Sequence, residues 1–265
     1  MSRALRLALL LIVSGCVYLF LARPYWFPAG ASTSSTSIDH QFEVAFWVFG
    51  TLFIVGHLVL IFVLSKKPRA DGKVSKGSWR LEVTWTLAVT IIFSWFNISG
   101  ERLWSSMMPP EKQAGEIEVE VTGAQFQWYF RYPGPDGVFG RTDAQKFAKP
   151  DEGNPLGIDP GDPAGRDDIL TTAMVVPVGH NVHLQLRAQD VIHSLFIPAM
   201  RFKQDTVPGM DIHSHFTPTQ IGNYEIACAE LCGIGHYRMR AVVRVVSEVE
   251  FEKWIKAQEA PAASH

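Results

Sequence analysis

The sequence predicts a membrane-anchored all-β protein. A transmembrane helical hairpin, preceded by a signal segment or a third helix, is followed by a β-sandwich. Three observations carry this. Two charge-free apolar runs, residues 44–64 and 83–100, flank a short basic connection. From residue 117 onward apolar and polar side chains alternate in short segments, the period of strands. No helix-period pattern separates those segments, which favours a sandwich or barrel over an α/β fold.

The amino-terminal segment 1–22 carries Arg3 and Arg6 ahead of an apolar stretch. It reads equally as a cleaved signal, as a lipoprotein signal with Val13-Ser14-Gly15-Cys16 as its box, or as an extra transmembrane helix. Each reading delivers residue 30 onward to the outer face. The polar stretch 32–37 is expected to be an exposed linker. The hairpin spans residues 42–100. Its first run, as a helix, rises roughly 30 Å, the thickness of a bilayer's hydrocarbon core. His57 inside that run is expected to pack or face its own helix rather than bind a metal. The connection 65–80 holds Lys66, Lys67, Arg69, Lys73, Lys76 and Arg80 against Asp71 alone. Such a cluster belongs on the cytoplasmic side and sets everything after Glu101 outside. A buried hairpin of a soluble protein would not carry it.

The β domain is expected over residues 116–250, with strands near 117–121, 174–177, 182–186, 192–197, 222–227 and 241–246. A short helix over 251–258 lies in a carboxy-terminal tail, 251–265. The Gly-, Pro- and Asp-rich stretch 133–168 has no apolar period and reads as a solvated surface insertion. Charge divides unequally. From Glu116 on, 13 Lys/Arg oppose 20 Asp/Glu, a balance of −7, and the remaining 11 and 6 leave the first part at +5. A nucleic-acid footprint is absent, and the acidic part suits a basic partner.

The chemistry is concentrated in Cys228-Ala229-Glu230-Leu231-Cys232-Gly233-Ile234-Gly235-His236-Tyr237-Arg238-Met239. Two thiols, an imidazole and a thioether within twelve residues are soft ligands that favour copper. Zinc sites seldom use methionine and more often pair Cys-x2-Cys units. A disulfide between Cys228 and Cys232 is the bland alternative. A second cysteine four residues from the first lets two thiolates bridge two copper ions. His193, in Asp190-Val191-Ile192-His193, is the best second imidazole. His213 and His215 are rivals that read as an exposed strand. Acidic Asp190, three residues before His193, is placed to steer a basic donor.

These motifs resemble the cytochrome c oxidase subunit II family over most of the chain. Its pattern is a two-helix hairpin and an outer cupredoxin domain, with a His after Asp-Val-x and then Cys-x-Glu-x-Cys-x3-His-x2-Met. The resemblance implies a dinuclear copper (CuA) centre. In it Cys228 and Cys232 bridge the metals, and His193 and His236 bind one copper each. Met239 is a weak ligand to one copper, and the Glu230 carbonyl serves the other. It also implies that the Glu230 carboxylate helps hold a Mg2+ ion shared with the haem–copper subunit I, and that residues 201–209 line that interface. Glu82, in Leu81-Glu82-Val83-Thr84-Trp85, matches a glutamate at the cytoplasmic mouth of a proton path. Phe126 or Trp128, in Gly123-Ala124-Gln125-Phe126-Gln127-Trp128, matches the aromatic segment through which electrons arrive. The family commonly has Trp where Phe126 stands.

The implied function is that of an oxidase component in a bacterial plasma membrane, with its copper domain on the periplasmic face. It would take electrons from cytochrome c and pass them to haem in subunit I, where O2 is reduced to water. Other oxidase subunits and membrane lipid are the further partners. No Cys-x-x-Cys-His occurs, so the donor is expected to be a separate protein. A quinol oxidase subunit would lack the copper ligands, and a storage protein would hold one labile copper. With the quinol oxidase subunit as the nearest rival, the alternative that keeps the copper site is the electron-input subunit of a copper-containing nitric oxide reductase.

Overall fold

A computed structural model describes residues 3–22, 26–66, 77–107, 115–147 and 153–259. Residues 67–76 of the basic connection, 148–152 of the insertion and 260–265 of the tail lie outside the described residues. The chain divides into two units, Met1–Pro28 with Ser37–Ser106, and Ala29–Thr36 with Met107–His265.

The first unit is helical: α1 (Arg3–Ala22), α2 (Thr33–Ser65) and α3 (Trp79–Ser106). Two of these, α2 and α3, are long and apolar enough to cross a membrane. Their Phe, Leu and Trp side chains are largely exposed, an arrangement that water would penalise and lipid would not. Phe49 stacks on Phe96 at 5.1 Å between ring centroids, and Gln41 Nε2 donates to Ser99 Oγ at 3.1 Å. Phe20 of α1 meets Trp47 edge-on at 4.7 Å. His57 binds the Phe53 carbonyl of its own helix at 2.9 Å, as a helix-facing residue should. Glu82 is exposed in the first turn of α3, where the helix dipole favours a carboxylate.

The second unit is a sandwich of two five-stranded sheets. One runs β3 (Ile169–Thr171), β2 (Gln127–Tyr132), β1 (Ile117–Ala124), β5 (Val182–Ala188), β8 (Ile212–Phe216). The other runs β4 (Met174–Pro177), β10 (Arg240–Val246), β9 (Gly222–Cys228), β6 (His193–Ile197), β7 (Phe202–Thr206). The pairs β1–β5 and β4–β10 are parallel and the others antiparallel. Val119, Val121, Trp128, Phe130, Leu184, Leu186, Leu195 and Val243 fill the space between the sheets. The alternation in β1 is thus one inward face of this core.

Three expectations change. Ser32 and Ser35, set in an expected exposed linker, are 2% and 3% exposed. Ser32 bridges to Pro218 and its Oγ donates to the Met200 carbonyl at 2.7 Å. Short hydroxyl side chains satisfied by backbone can be buried where longer polar ones cannot. The stretch 133–168 is not simply solvated, because Leu156 is buried and Thr142 bridges to Ile158. Asn154 closes a turn on Ile158 through both of its amide atoms, at 2.8 and 2.9 Å. The tail begins inside the core: Ser247 and Glu250 cap α4 (Glu248–Glu259) reciprocally, and Phe251 is buried with Trp254 against Tyr132. In the segment 201–209, which the resemblance sets at the interface, residues 202–206 form strand β7 after Arg201, whose φ is 52°.

A charge cluster lies under the insertion. Arg131, with no exposed side-chain surface, donates to Glu120 Oε1 at 3.2 Å, to the Gly140 carbonyl and to Asp168. Arg187 reaches Glu120 Oε2 at 3.1 Å from the other side.

Candidate metal centre

Sheet register brings the ligand-bearing segments together. Antiparallel pairing of β6 with β9 sets Leu195 opposite Cys228, so His193, at the start of β6, lies beside the end of β9. The β9–β10 hairpin pairs Arg240 with Ala227, which makes residues 229–239 its connection and returns Met239 to Cys228. The Cys228 N–H donates to the Met239 carbonyl at 3.1 Å, and the Ala229 N–H to that of Ser194 at 3.0 Å.

All six expected ligand positions converge. Cys228 Sγ lies 3.9 Å from Cys232 Sγ, 4.0 Å from His193 Nδ1 and 3.2 Å from the Glu230 carbonyl. Cys232 Sγ lies 3.6 Å from His236 Nδ1 and 3.8 Å from Met239 Sδ. His193, Cys228 and Cys232 are buried and present their ligand atoms within 4.8 Å of one another. Both cysteines are free thiols, so the disulfide alternative falls. Two sulfurs 3.9 Å apart can share an ion whose bonds to thiolate run about 2.3 Å, as with zinc. With two imidazoles and a thioether beside them the donor set fits copper better. Burial, with the neighbouring Cys228 adding to it, pushes the Cys232 thiol up to about 11. Metal binding must therefore displace protons. His213 and His215 stand on β8 in the other sheet, where His213 Nδ1 pairs with His183 Nε2 at 3.2 Å.

The surroundings set the imidazole. His193 Nε2 is 2.8 Å from Asp190 Oδ1. When Nε2 donates there, Nδ1 is left with its lone pair toward the sulfurs. Burial alone would raise the Asp190 carboxyl, but bonds from His193 and from the Gln125 and Val191 N–H groups outweigh it and hold it below its usual range. Gly123 leaves room for the ring, since a Cβ there would stand 2.9 Å from His193 Cδ2. Trp128, wholly buried, meets the same ring edge-on at 5.9 Å. Only Phe126 of the two aromatic candidates reaches the surface, lying over Gly235. Around the cluster Leu231, Ile234 and Tyr237 are 78%, 94% and 74% exposed, and the Glu230 side chain also faces outward.

Sequence reading assigned Asp190 only a long-range role. Its bond to His193 makes it part of the site's support, and such partners typically govern about 10–100-fold in metal affinity. Asp190→Asn is expected to lower copper affinity by about that factor, read by competition with a chelator. Unchanged affinity would restrict Asp190 to surface electrostatics.

A two-sheet sandwich with soft ligands on a hairpin connection, in a chain with two helices able to span a bilayer, defines a membrane-anchored protein with a cupredoxin-like metal domain. The family profile described as "Cytochrome C oxidase subunit II, periplasmic domain" matches residues 117–246. The alternative cytochrome c oxidase subunit 2 of Bradyrhizobium diazoefficiens is 33% identical over 96% of this chain and 92% of its own. Cytochrome c oxidase subunit 2 of Cereibacter sphaeroides is 30% identical over 89% and 82%. The crystal structure of the periplasmic domain of subunit II of the Bradyrhizobium japonicum cytochrome oxidase is 29% identical, with a TM-score of 0.41, over 57% of this chain and 97% of that one. The chain belongs to the cytochrome c oxidase subunit II family. Membership makes it a component of an oxidase complex, with subunit I and other oxidase subunits as partners.

Proposed function

We propose that the chain is the electron-input subunit of a cytochrome c oxidase and receives electrons from cytochrome c at a dinuclear copper centre. The convergence of two buried thiols, two imidazoles, a thioether and a backbone carbonyl carries this reading. Cys228 and Cys232 would bridge the metals. His193 and His236 would bind one each, Met239 would be a weak ligand to one, and the Glu230 carbonyl would serve the other. A bridged copper pair supplies one-electron chemistry in which the charge is spread over both metals and both sulfurs.

The protein's part is rigidity and exclusion of water. Burial of His193, Cys228 and Met239 keeps the surroundings from rearranging as charge moves. Phe126, half-buried over Gly235 of the copper connection, is the one of the two candidate aromatics that reaches the surface, and we assign it the donor side. The outward Glu230 carboxylate suits a Mg2+ ion shared with subunit I, and the apolar rim of Leu231, Ile234 and Tyr237 suits burial by partners. Glu82, on the cytoplasmic side of the bilayer in this orientation, suits the mouth of a proton path in subunit I. From the copper pair electrons would continue to haem in subunit I, where O2 is reduced to water.

One experiment tests donor and orientation together. Spheroplasts carrying the oxidase are supplied externally with reduced cytochrome c. Oxidation without detergent is expected, at a rate that falls as salt rises, because the acidic domain steers a basic donor over a screening length of about 8 Å at physiological ionic strength. Activity that appears only after detergent would contradict the outer placement. Turnover independent of salt would contradict electrostatic docking.

A further inference from the structure

The turn between β1 and β2 touches both halves of the copper site through one residue. The Gln125 backbone N–H donates to Asp190 Oδ2 at 2.7 Å, and the other oxygen of that carboxylate holds His193 at 2.8 Å. The Gln125 side chain donates from Nε2 to the Cys232 carbonyl at 2.6 Å. His193 starts β6, whereas Cys232 and His236 lie in the β9–β10 connection. Beside the short β6–β9 pairing at Leu195–Cys228 and Phe196–Ala227, the Ala229–Ser194 bond and the approach of Cys228 Sγ to His193 Nδ1, Gln125 adds a tie that reaches the His193 side through Asp190 and the Cys232 side directly.

The glycines around it show how close the fit is. Gly233 has φ 129°, and a Cβ there would lie 3.1 Å from Gln125 Nε2 and 3.2 Å from the Phe126 ring. At Gly235 a Cβ would lie 2.4 Å from Phe126. The copper connection is therefore seated directly on the 125–126 turn, with no side chain interposed. The peptide after a bridging cysteine is where a shift would alter the sulfur most, since the carbonyl sits on the same residue.

We propose that Gln125 is a positioning residue for the copper site: its backbone and side-chain amides together fix the spacing between the His193 side and the Cys232–His236 side. This rests on the copper reading above. Losing the side-chain bond should loosen the Cys232 side while leaving Asp190 and His193 held.

The test uses the full-length chain, loaded with copper in detergent, as wild type, Gln125→Met and Gln125→Glu. Methionine keeps the length without the amide, and glutamate keeps the shape without the donor. Both variants are expected to give up copper to excess chelator about three- to tenfold faster than wild type, the factor that one net hydrogen bond commands. Their paramagnetic spectrum should show unequal sharing between the metals, and the melting temperature of the copper-free chains should stay near that of wild type. Copper loss at the wild-type rate in both variants would overturn the proposal. So would an equal fall in melting temperature with and without copper, which marks general destabilisation. Failure of the wild-type chain itself to hold paired copper would overturn the copper reading and this inference with it, and is distinguishable because no substitution is involved.

Discussion

Cys228→Ser is expected to reduce the bound copper from two ions to at most one and to lower electron transfer from cytochrome c by more than the roughly 100-fold that loss of an outer partner costs. Cys228 is the point where the site's contacts meet. Its sulfur faces His193, Cys232 and the Glu230 carbonyl, and its backbone N–H ties the end of β9 to the Met239 carbonyl just ahead of β10. A serine oxygen is a harder, less readily deprotonated ligand than a thiolate, so the remaining Cys232 can anchor one copper and bridge none. The substitution is small and occupies the end of a strand, so the sandwich should still fold. Copper analysis and single-turnover kinetics decide it. Retention of two ions with unaltered transfer would remove Cys228 from the bridge.

Arg131→Leu is expected to destabilise the β domain by about 3–5 kcal/mol, the cost of leaving buried partners of a charge uncompensated. Arg131 and Asp168 have no exposed side-chain surface and Glu120 has 2%, so water cannot replace the lost guanidinium. The Gly140 carbonyl loses a donor in the same step. Arg187 still reaches Glu120, which limits the damage on that side, but among the described residues no second cation pairs with Asp168. Arg131→Lys should recover part of the loss, since it restores the charge without the fork of donors. Urea unfolding of the full chain in detergent measures it. A change below about 1 kcal/mol, the range of exposed pairs, would show that the cluster is solvated.

The same residues show how far the sequence could be read. The metal ligands were legible because soft side chains at short spacing have few other uses, and the membrane runs because charge is excluded over a fixed length. Strand β1 followed from alternation, and β4, β5, β6, β9 and β10 from short segments of the same kind. Strand β2 carries Arg131 one residue from its end, which in sequence marks a solvent-facing position. It is buried because residues as far away as Gly140 and Asp168 cover it, and a covering loop leaves no periodic trace. Ser32 failed for a related reason: its burial comes from a pairing with Pro218, far along the chain. Asp190 stands out in sequence for its charge alone, because its bond to His193 depends on how the chain enters β6. Gln125 had no signal at all, since its value lies in a bond to the carbonyl of Cys232.

An electron paramagnetic resonance spectrum of the oxidised, copper-loaded full-length chain tests the paired copper site most directly. An unpaired electron shared equally by two copper nuclei splits into seven lines, and seven lines with two coppers per chain are expected. A four-line spectrum, or one copper per chain, would contradict the bridging of two metals by Cys228 and Cys232.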